Sequence, residues 1–122
     1  VKKVVAIESV KDAVKAIEKS NQLNNIKNIK AITGDVLKVT DYLKQQFDVM
    51  IFDPPRTGLG KTIVNYILKN APKKVIYVSC NPETLVKDLN LLIEKYNVLS
   101  IDSVDMFPQT SQIETLTILT LK

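Results

Sequence analysis

The stretch Val75-Ile76-Tyr77-Val78-Ser79-Cys80-Asn81-Pro82-Glu83 decides how the rest of the chain is read. Its first half is an apolar run of strand length. Asn81, Pro82 and Glu83 then supply a helix N-cap, a first-turn proline and a first-turn acid. A strand that passes directly into a helix is half of a βαβ unit, and here the junction carries the only cysteine of the chain. An earlier junction of the same kind carries Asp53-Pro54-Pro55-Arg56. Ligands of open α/β sheets bind outside the carboxyl ends of the strands, so two such strand ends with polar or reactive side chains point to a site.

Working outward, strand-length apolar runs alternate with helix-period segments, the pattern of parallel strands joined by crossover helices. Val4-Val5-Ala6-Ile7 comes first, followed by a helix carrying Val10, Ala13, Val14 and Ile17 and ending near Ser20-Asn21. A strand over about Ile29–Thr33, a helix over Val36–Gln46 and a strand over Phe47–Phe52 come next. This last strand is apolar enough to be buried on both faces. Residues 56–61 read as a loop, and Thr62 as the cap of a helix running through Lys69. Val75–Val78 is the following strand. After Cys80 comes the best-marked helix, with an apolar stripe of Leu85, Leu89, Leu92, Ile93 and Tyr96. Two final strands, about Val98–Met106 and Glu114–Leu121, are joined by a connection too short for a parallel crossover, which makes them an antiparallel pair.

The 122 residues, 45% hydrophobic and 25% charged, suffice for one core, so a single domain over 1–122 is expected. No apolar run approaches the roughly 20 residues of a membrane span, and the mixed basic start does not read as a signal peptide; the expectation is a cytoplasmic protein without membrane contact. One cysteine and no histidine exclude an internal disulfide and Ser-His and Cys-His nucleophile pairs and leave no plausible zinc or iron–sulfur site, so no metal is expected within this segment. The net charge of +4 suits an anionic partner such as RNA, although the lysines are scattered as on ordinary solvated faces.

The candidate chemistry lies at the strand ends. Cys80 precedes a helix N-terminus, where the dipole and unpaired backbone N–H groups favour thiolate; packed inside, it would be an inert small side chain. Glu114 opens the last strand between Ile113 and Leu116, a setting for a proton acceptor or for a solvated edge charge. Asp53 is held by two prolines that stiffen the strand exit. Glu8 and Asp35 end the first two strands, where acids bind ribose hydroxyls or cap helices. Gly58-Leu59-Gly60-Lys61-Thr62 imitates a phosphate loop, but that motif needs glycine where Pro55 stands.

Four stretches now coincide: Asp53-Pro54-Pro55-Arg56-Thr57-Gly58-Leu59, Tyr77-Val78-Ser79-Cys80-Asn81-Pro82-Glu83-Thr84-Leu85, Asp105-Met106-Phe107-Pro108-Gln109-Thr110 and Ile113-Glu114-Thr115-Leu116. In this order and spacing the chain resembles the catalytic domain of RNA uracil-5-methyltransferases, over nearly its whole length. The resemblance implies a Rossmann-like class I methyltransferase fold, a mostly parallel sheet flanked by helices with an antiparallel C-terminal strand pair. It implies S-adenosylmethionine as cofactor and ribosomal or transfer RNA as substrate. It implies Cys80 as the nucleophile adding to carbon 6 of uracil and Glu114 as the base removing the carbon 5 proton. Asp53 would face both base and cofactor, Arg56 the substrate, and Glu8 and Asp35 the cofactor. Gln112 stands where the family often has histidine. The family's first strand with its glycine-rich loop is lacking, so the chain is expected to be a C-terminal part of such a domain, inactive alone, with the strands of Ile7 and Ile51 either paired directly or left with open edges.

Two other readings compete. An amino-group methyltransferase also uses Asp-Pro-Pro, but it usually has an aromatic residue where Arg56 stands. A non-catalytic RNA-binding module could keep the fold without the chemistry.

Overall fold

The computed structural model describes every residue except Lys44 and Ser111, and every side chain except those two and residues 40–42. The chain forms two compact units, residues 1–44 and 45–122.

In the first unit, β1 (Val4–Glu8), α1 (Lys11–Leu23), β2 (Ile29–Thr33) and α2 (Val36–Tyr42) follow one another. The two strands are parallel and in register from Val4 opposite Ile29 to Glu8 opposite Thr33. Val14 is the buried residue of α1, with Ala13 and Ile17 partly covered beside it, whereas Val10, the first member of the expected stripe, is the N-cap residue and is exposed. The helix runs to Leu23, beyond the expected Asn21, and Asn25 turns the chain with a positive φ of 53°. α2 closes earlier than the expected Gln46, and the N–H of Leu43 bonds back to Val39; of the expected extension, Lys44 lies outside the described residues.

The second unit contains β3 (Val49–Phe52), α3 (Gly60–Asn70), β4 (Lys74–Ser79), α4 (Pro82–Leu92), β5 (Tyr96–Val104) and β6 (Glu114–Leu121). Its sheet has the order β3-β4-β6-β5. β3 and β4 are parallel, while β6 enters between β4 and β5 and is antiparallel to both. The antiparallel C-terminal pair of the sequence reading is therefore present, with its second strand inserted against β4. Neither β1 nor β3 has a second strand partner among the described residues, so of the two alternatives for Ile7 and Ile51 the open edges hold.

One sheet face is filled. Val75, Tyr77 and Ser79 of β4 and Thr115, Thr117 and Leu119 of β6 alternate into it. Ile63, Val64 and Ile67 are the buried side chains of α3, and Leu85, Leu89 and Leu92 the buried apolar ones of α4. Each of these aliphatic side chains removed from water contributes about 1.5–3 kcal/mol.

Three expectations are corrected here. β3 is not buried on both faces: Met50 is, but Val49 and Ile51 are 46% and 69% exposed, because the strand is at the sheet edge and is covered on one side. Thr62 does not cap α3; the helix starts at Gly60 with Leu59 as N-cap and no side-chain cap, the positive φ of Gly58 (80°) and Gly60 (72°) allowing the chain to turn there. Tyr96 does not continue the α4 stripe, and Ile93 is 45% exposed. The helix stops at Leu92, and Tyr96 opens β5, fully buried with its hydroxyl donating to the carbonyl of Pro72 at 3.0 Å.

Candidate functional site at the carboxyl edge of the strands

Asn81 sets the geometry around Cys80. Its backbone is extended (φ −140°, ψ 104°), its Oδ1 accepts the N–H of Glu83, and Pro82 follows in the first helical position. The N-cap, proline and first-turn acid are therefore all as the sequence indicated. Cys80 lies between the end of β4 and this cap and is partly exposed, with a free thiol. The hydroxyl of Ser79 accepts the Asn81 N–H and donates to the Asn81 carbonyl, a small clasp that closes the bend across the cysteine.

Register brings Glu114 to the same end. The β4–β6 ladder ends with Ser79 opposite Thr115, so Cys80, one residue past β4, and Glu114, the first residue of β6, come to the same end of the sheet. Ser79 and Thr115 are buried, whereas Val78 and Leu116 belong to the other face, and alternation along β6 puts Glu114 on that second face. Glu114 is partly covered rather than fully solvated.

Asp53 belongs to the same edge and parity. β3 runs in register with β4 up to Phe52 opposite Tyr77, so Asp53 falls beside Val78, with Ile51 and Ile76 preceding it on that face. It is exposed at the strand exit. Asp53, Cys80 and Glu114 thus lie at one end of one sheet. Arg56 is three residues further along the exit turn, and its carbonyl accepts hydrogen bonds from Asn81 Nδ2 at 3.0 Å and Thr84 Oγ1 at 3.1 Å.

Glu8 and Asp35 are neighbours in the other unit. Glu8 ends β1 opposite Thr33, and its carbonyl accepts the N–H of Gly34, which brings the β2–α2 turn against the end of β1. Glu8 Oε1 accepts the N–H of Val10 at 2.8 Å and the Ser9 hydroxyl at 3.1 Å; these bonds hold its carboxyl below the usual carboxylate range, so it is ionised at neutral pH. Asp35 Oδ1 accepts the N–H of Leu37. Each acid thus holds its own turn through a backbone N–H.

The sequence reading missed a buried acid. Asp88, on the apolar stripe of α4 between Leu85 and Leu89, is 6% exposed and accepts the Leu59 N–H and the Tyr77 hydroxyl, both at 2.8 Å on Oδ2. Its signal in the sequence is an acid at the i+3 position of a leucine stripe, where a solvated charge would not be placed.

The whole chain, residues 1–122, matches the model of the tRNA (uracil-5-)-methyltransferase family. The chain belongs to this family. It is 45% identical over 122 residues to an uncharacterized RNA methyltransferase of Clostridium acetobutylicum, covering 98% of this chain and 26% of that protein. It is 47% identical over 117 residues to one of Fusobacterium nucleatum, covering 93% of this chain and 25% of the relative. Among solved structures, the tRNA (uracil-54, C5)-methyltransferase of Pyrococcus abyssi in complex with S-adenosyl-L-homocysteine superposes with a TM-score of 0.85 at 30% identity, over 97% of this chain and 29% of that one. NSun6 of Pyrococcus horikoshii, 15% identical with a TM-score of 0.75 over 98% of this chain and 41% of that one, shares the fold. The α/β methyltransferase fold expected from the sequence is the one found. The chain spans about a quarter of the length of the curated relatives it matches. No helix among the described residues is long and apolar enough to cross a membrane.

Proposed function

We propose that these residues form part of an S-adenosylmethionine-dependent methyltransferase domain that methylates carbon 5 of a uridine in RNA through a covalent cysteine adduct. The observation that supports this reading is the arrival of Cys80 and Glu114 at the same end of the β4–β6 ladder, the end at which β3 gives way to Asp53.

Carbon 5 of uracil is a weak nucleophile until carbon 6 is saturated. The Cys80 thiolate adds to carbon 6, and the electron pair pushed onto the ring makes an enolate that is nucleophilic at carbon 5. Bound S-adenosylmethionine supplies the methyl group as an electrophile. Glu114 then takes the carbon 5 proton, and the returning electron pair expels the thiolate, restoring the ring. Two groups acting at adjacent ring carbons must reach into one pocket, and side chains from adjacent strand ends can do so. Asp53 would orient base and cofactor and Arg56 the substrate, and the uridine would leave its stack to enter.

The acids of the first unit fit an adenosine cofactor. Glu8 is ionised at the end of β1, where an acid suits a ribose diol, and Asp35 follows the end of the neighbouring β2. The test is methyl transfer to RNA from labelled S-adenosylmethionine by the active protein that carries this chain. Cys80→Ala is expected to abolish it. Retained turnover would favour amino-group methylation through Asp53.

A further inference from the structure

The turn that follows Asp53 is tied down from one direction. Beyond the two bonds to the Arg56 carbonyl, the Leu59 N–H bonds Asp88 Oδ2, and that oxygen is held from below by the Tyr77 hydroxyl of β4. Gly58 is shaped to this carboxylate. Its φ of +80° disfavours any side chain, and a Cβ there would come within 2.6 Å of Asp88 Oδ2. Pro55 and Gly58 close the turn between these anchors, the Gly58 N–H bonding the Pro55 carbonyl at 2.9 Å. These anchors lie on α4 and its N-cap Asn81 and, through Tyr77 beneath Asp88, on β4, the elements that flank Cys80.

We propose that Asp88 is a positioning residue for the site: its buried carboxylate latches the Asp53–Leu59 turn onto the β4–α4 junction and so keeps Asp53 and Arg56 in constant register with the Cys80 thiol. The proposal rests on the function proposed above and deepens it. Burial argues for this role over simple capping. A carboxylate withdrawn from water needs donors, and the two it receives come from different elements, one from the turn and one from the sheet. Such a group fixes one element against the other, whereas a cap satisfies a single helix. α3 has no side-chain cap of its own, and the carboxylate of α4 stands beside its N-terminus, where negative charge is favoured.

Two measurements test this. In the 122-residue chain, amide exchange at Leu59 is followed in wild type and Asp88→Asn, with the amides of Leu85 and Leu89 as internal references. Asp88→Asn keeps the size but replaces the charge, and exchange at Leu59 is expected to quicken about tenfold or more relative to the references. Equal protection overturns the latch. This readout needs no methyl transfer, so it stands or falls apart from the enzymatic reading. In the active protein, Asp88→Ala is expected to lower kcat at least about tenfold at a temperature well below its Tm, with Asp88→Asn recovering most of it. Tyr77→Phe, which removes the lower bond and leaves Leu59 attached, is expected to lower Tm while kcat stays within about twofold. A fall in kcat that tracks Tm across all three variants would show a merely structural acid and overturn the proposal. Should Asp88→Ala not fold, Thr84→Val decides: a threefold or larger loss of kcat with unchanged Tm supports the latch, and an unchanged kcat overturns it.

Discussion

Ser79 and Thr115 are the last pair of the antiparallel β4–β6 ladder, and Cys80 follows the one while Glu114 precedes the other, so Cys80 and Glu114 lie at the same end of the sheet. Two residues separated by more than thirty positions of sequence reach adjacent strand ends because β6 inserts next to β4 instead of adding beyond β5. The insertion is thus the topological step that assembles the candidate site.

Glu114→Gln in the active protein should separate the two halves of the reaction. Addition by Cys80 and methylation remain possible, but removal of the carbon 5 proton is slowed by about 10²–10⁴. The expected outcome is a methylated RNA–protein adduct that survives denaturing electrophoresis. Loss of turnover with no adduct would place Glu114 outside the proton-transfer step.

The 122-residue chain alone should bind S-adenosylmethionine weakly. Its three glycines are Gly34, Gly58 and Gly60, none in a glycine-rich loop that would cradle the methionyl carboxylate, and β1 and β3 each keep an unpaired edge. Isothermal titration should return a Kd weaker than about 1 mM, which is less than about 4 kcal/mol. Micromolar binding would contradict this.

Alkaline pH should destabilise the chain through Tyr77. Burial, and then the Asp88 carboxylate, push its phenol well above the ordinary 10.0, and burial raises Tyr66 and Tyr96 in the same direction. The unfolded chain therefore loses these protons first. The stabilisation is complete below about pH 10 and declines as pH rises beyond it. Urea midpoints measured from about pH 9 to about pH 11.5 should fall for wild type and fall less steeply for Tyr77→Phe; parallel curves would remove Tyr77 as the cause.

The two faces of the second unit should differ in mutational cost. Ile67 is fully buried on α3, and Ile67→Ala should cost about 2–5 kcal/mol. Ile51, 69% exposed on β3, should tolerate alanine within about 0.5 kcal/mol in the 122-residue chain. Chemical denaturation of both variants checks the assignment, and a large loss at Ile51 would mean that this face is covered.

Much of this was legible before any coordinates. The alternation of apolar runs and helix periods located all ten elements, and the Asn81-Pro82-Glu83 signal marked the start of α4 to the residue. Local chemistry dictates those features. What depended on tertiary context was misread. The composition of β3 reads as a doubly buried strand, yet burial is decided by its neighbours, and it lies at an edge. Tyr96 has the spacing of a helical stripe, but its contact with Pro72 pulls it into β5. Asp88 passed unnoticed because an acid in a helix ordinarily faces water, and only the positions of Leu59 and Tyr77 give it partners. For the candidate site, the residue types and strand ends were readable, whereas the arrival of Cys80 and Glu114 at the same end of the sheet required the strand order.

The central claim is the covalent bond between Cys80 and carbon 6 of a uridine. The most direct measurement is mass spectrometry of the active protein incubated with S-adenosylmethionine and RNA carrying 5-fluorouridine at the target position, since fluorine at carbon 5 blocks the proton removal that releases the thiol. The account predicts a stable complex whose cross-linked peptide contains Cys80, and none with Cys80→Ala. A complex joined through another residue, or methylated RNA formed at full rate by Cys80→Ala, would contradict it.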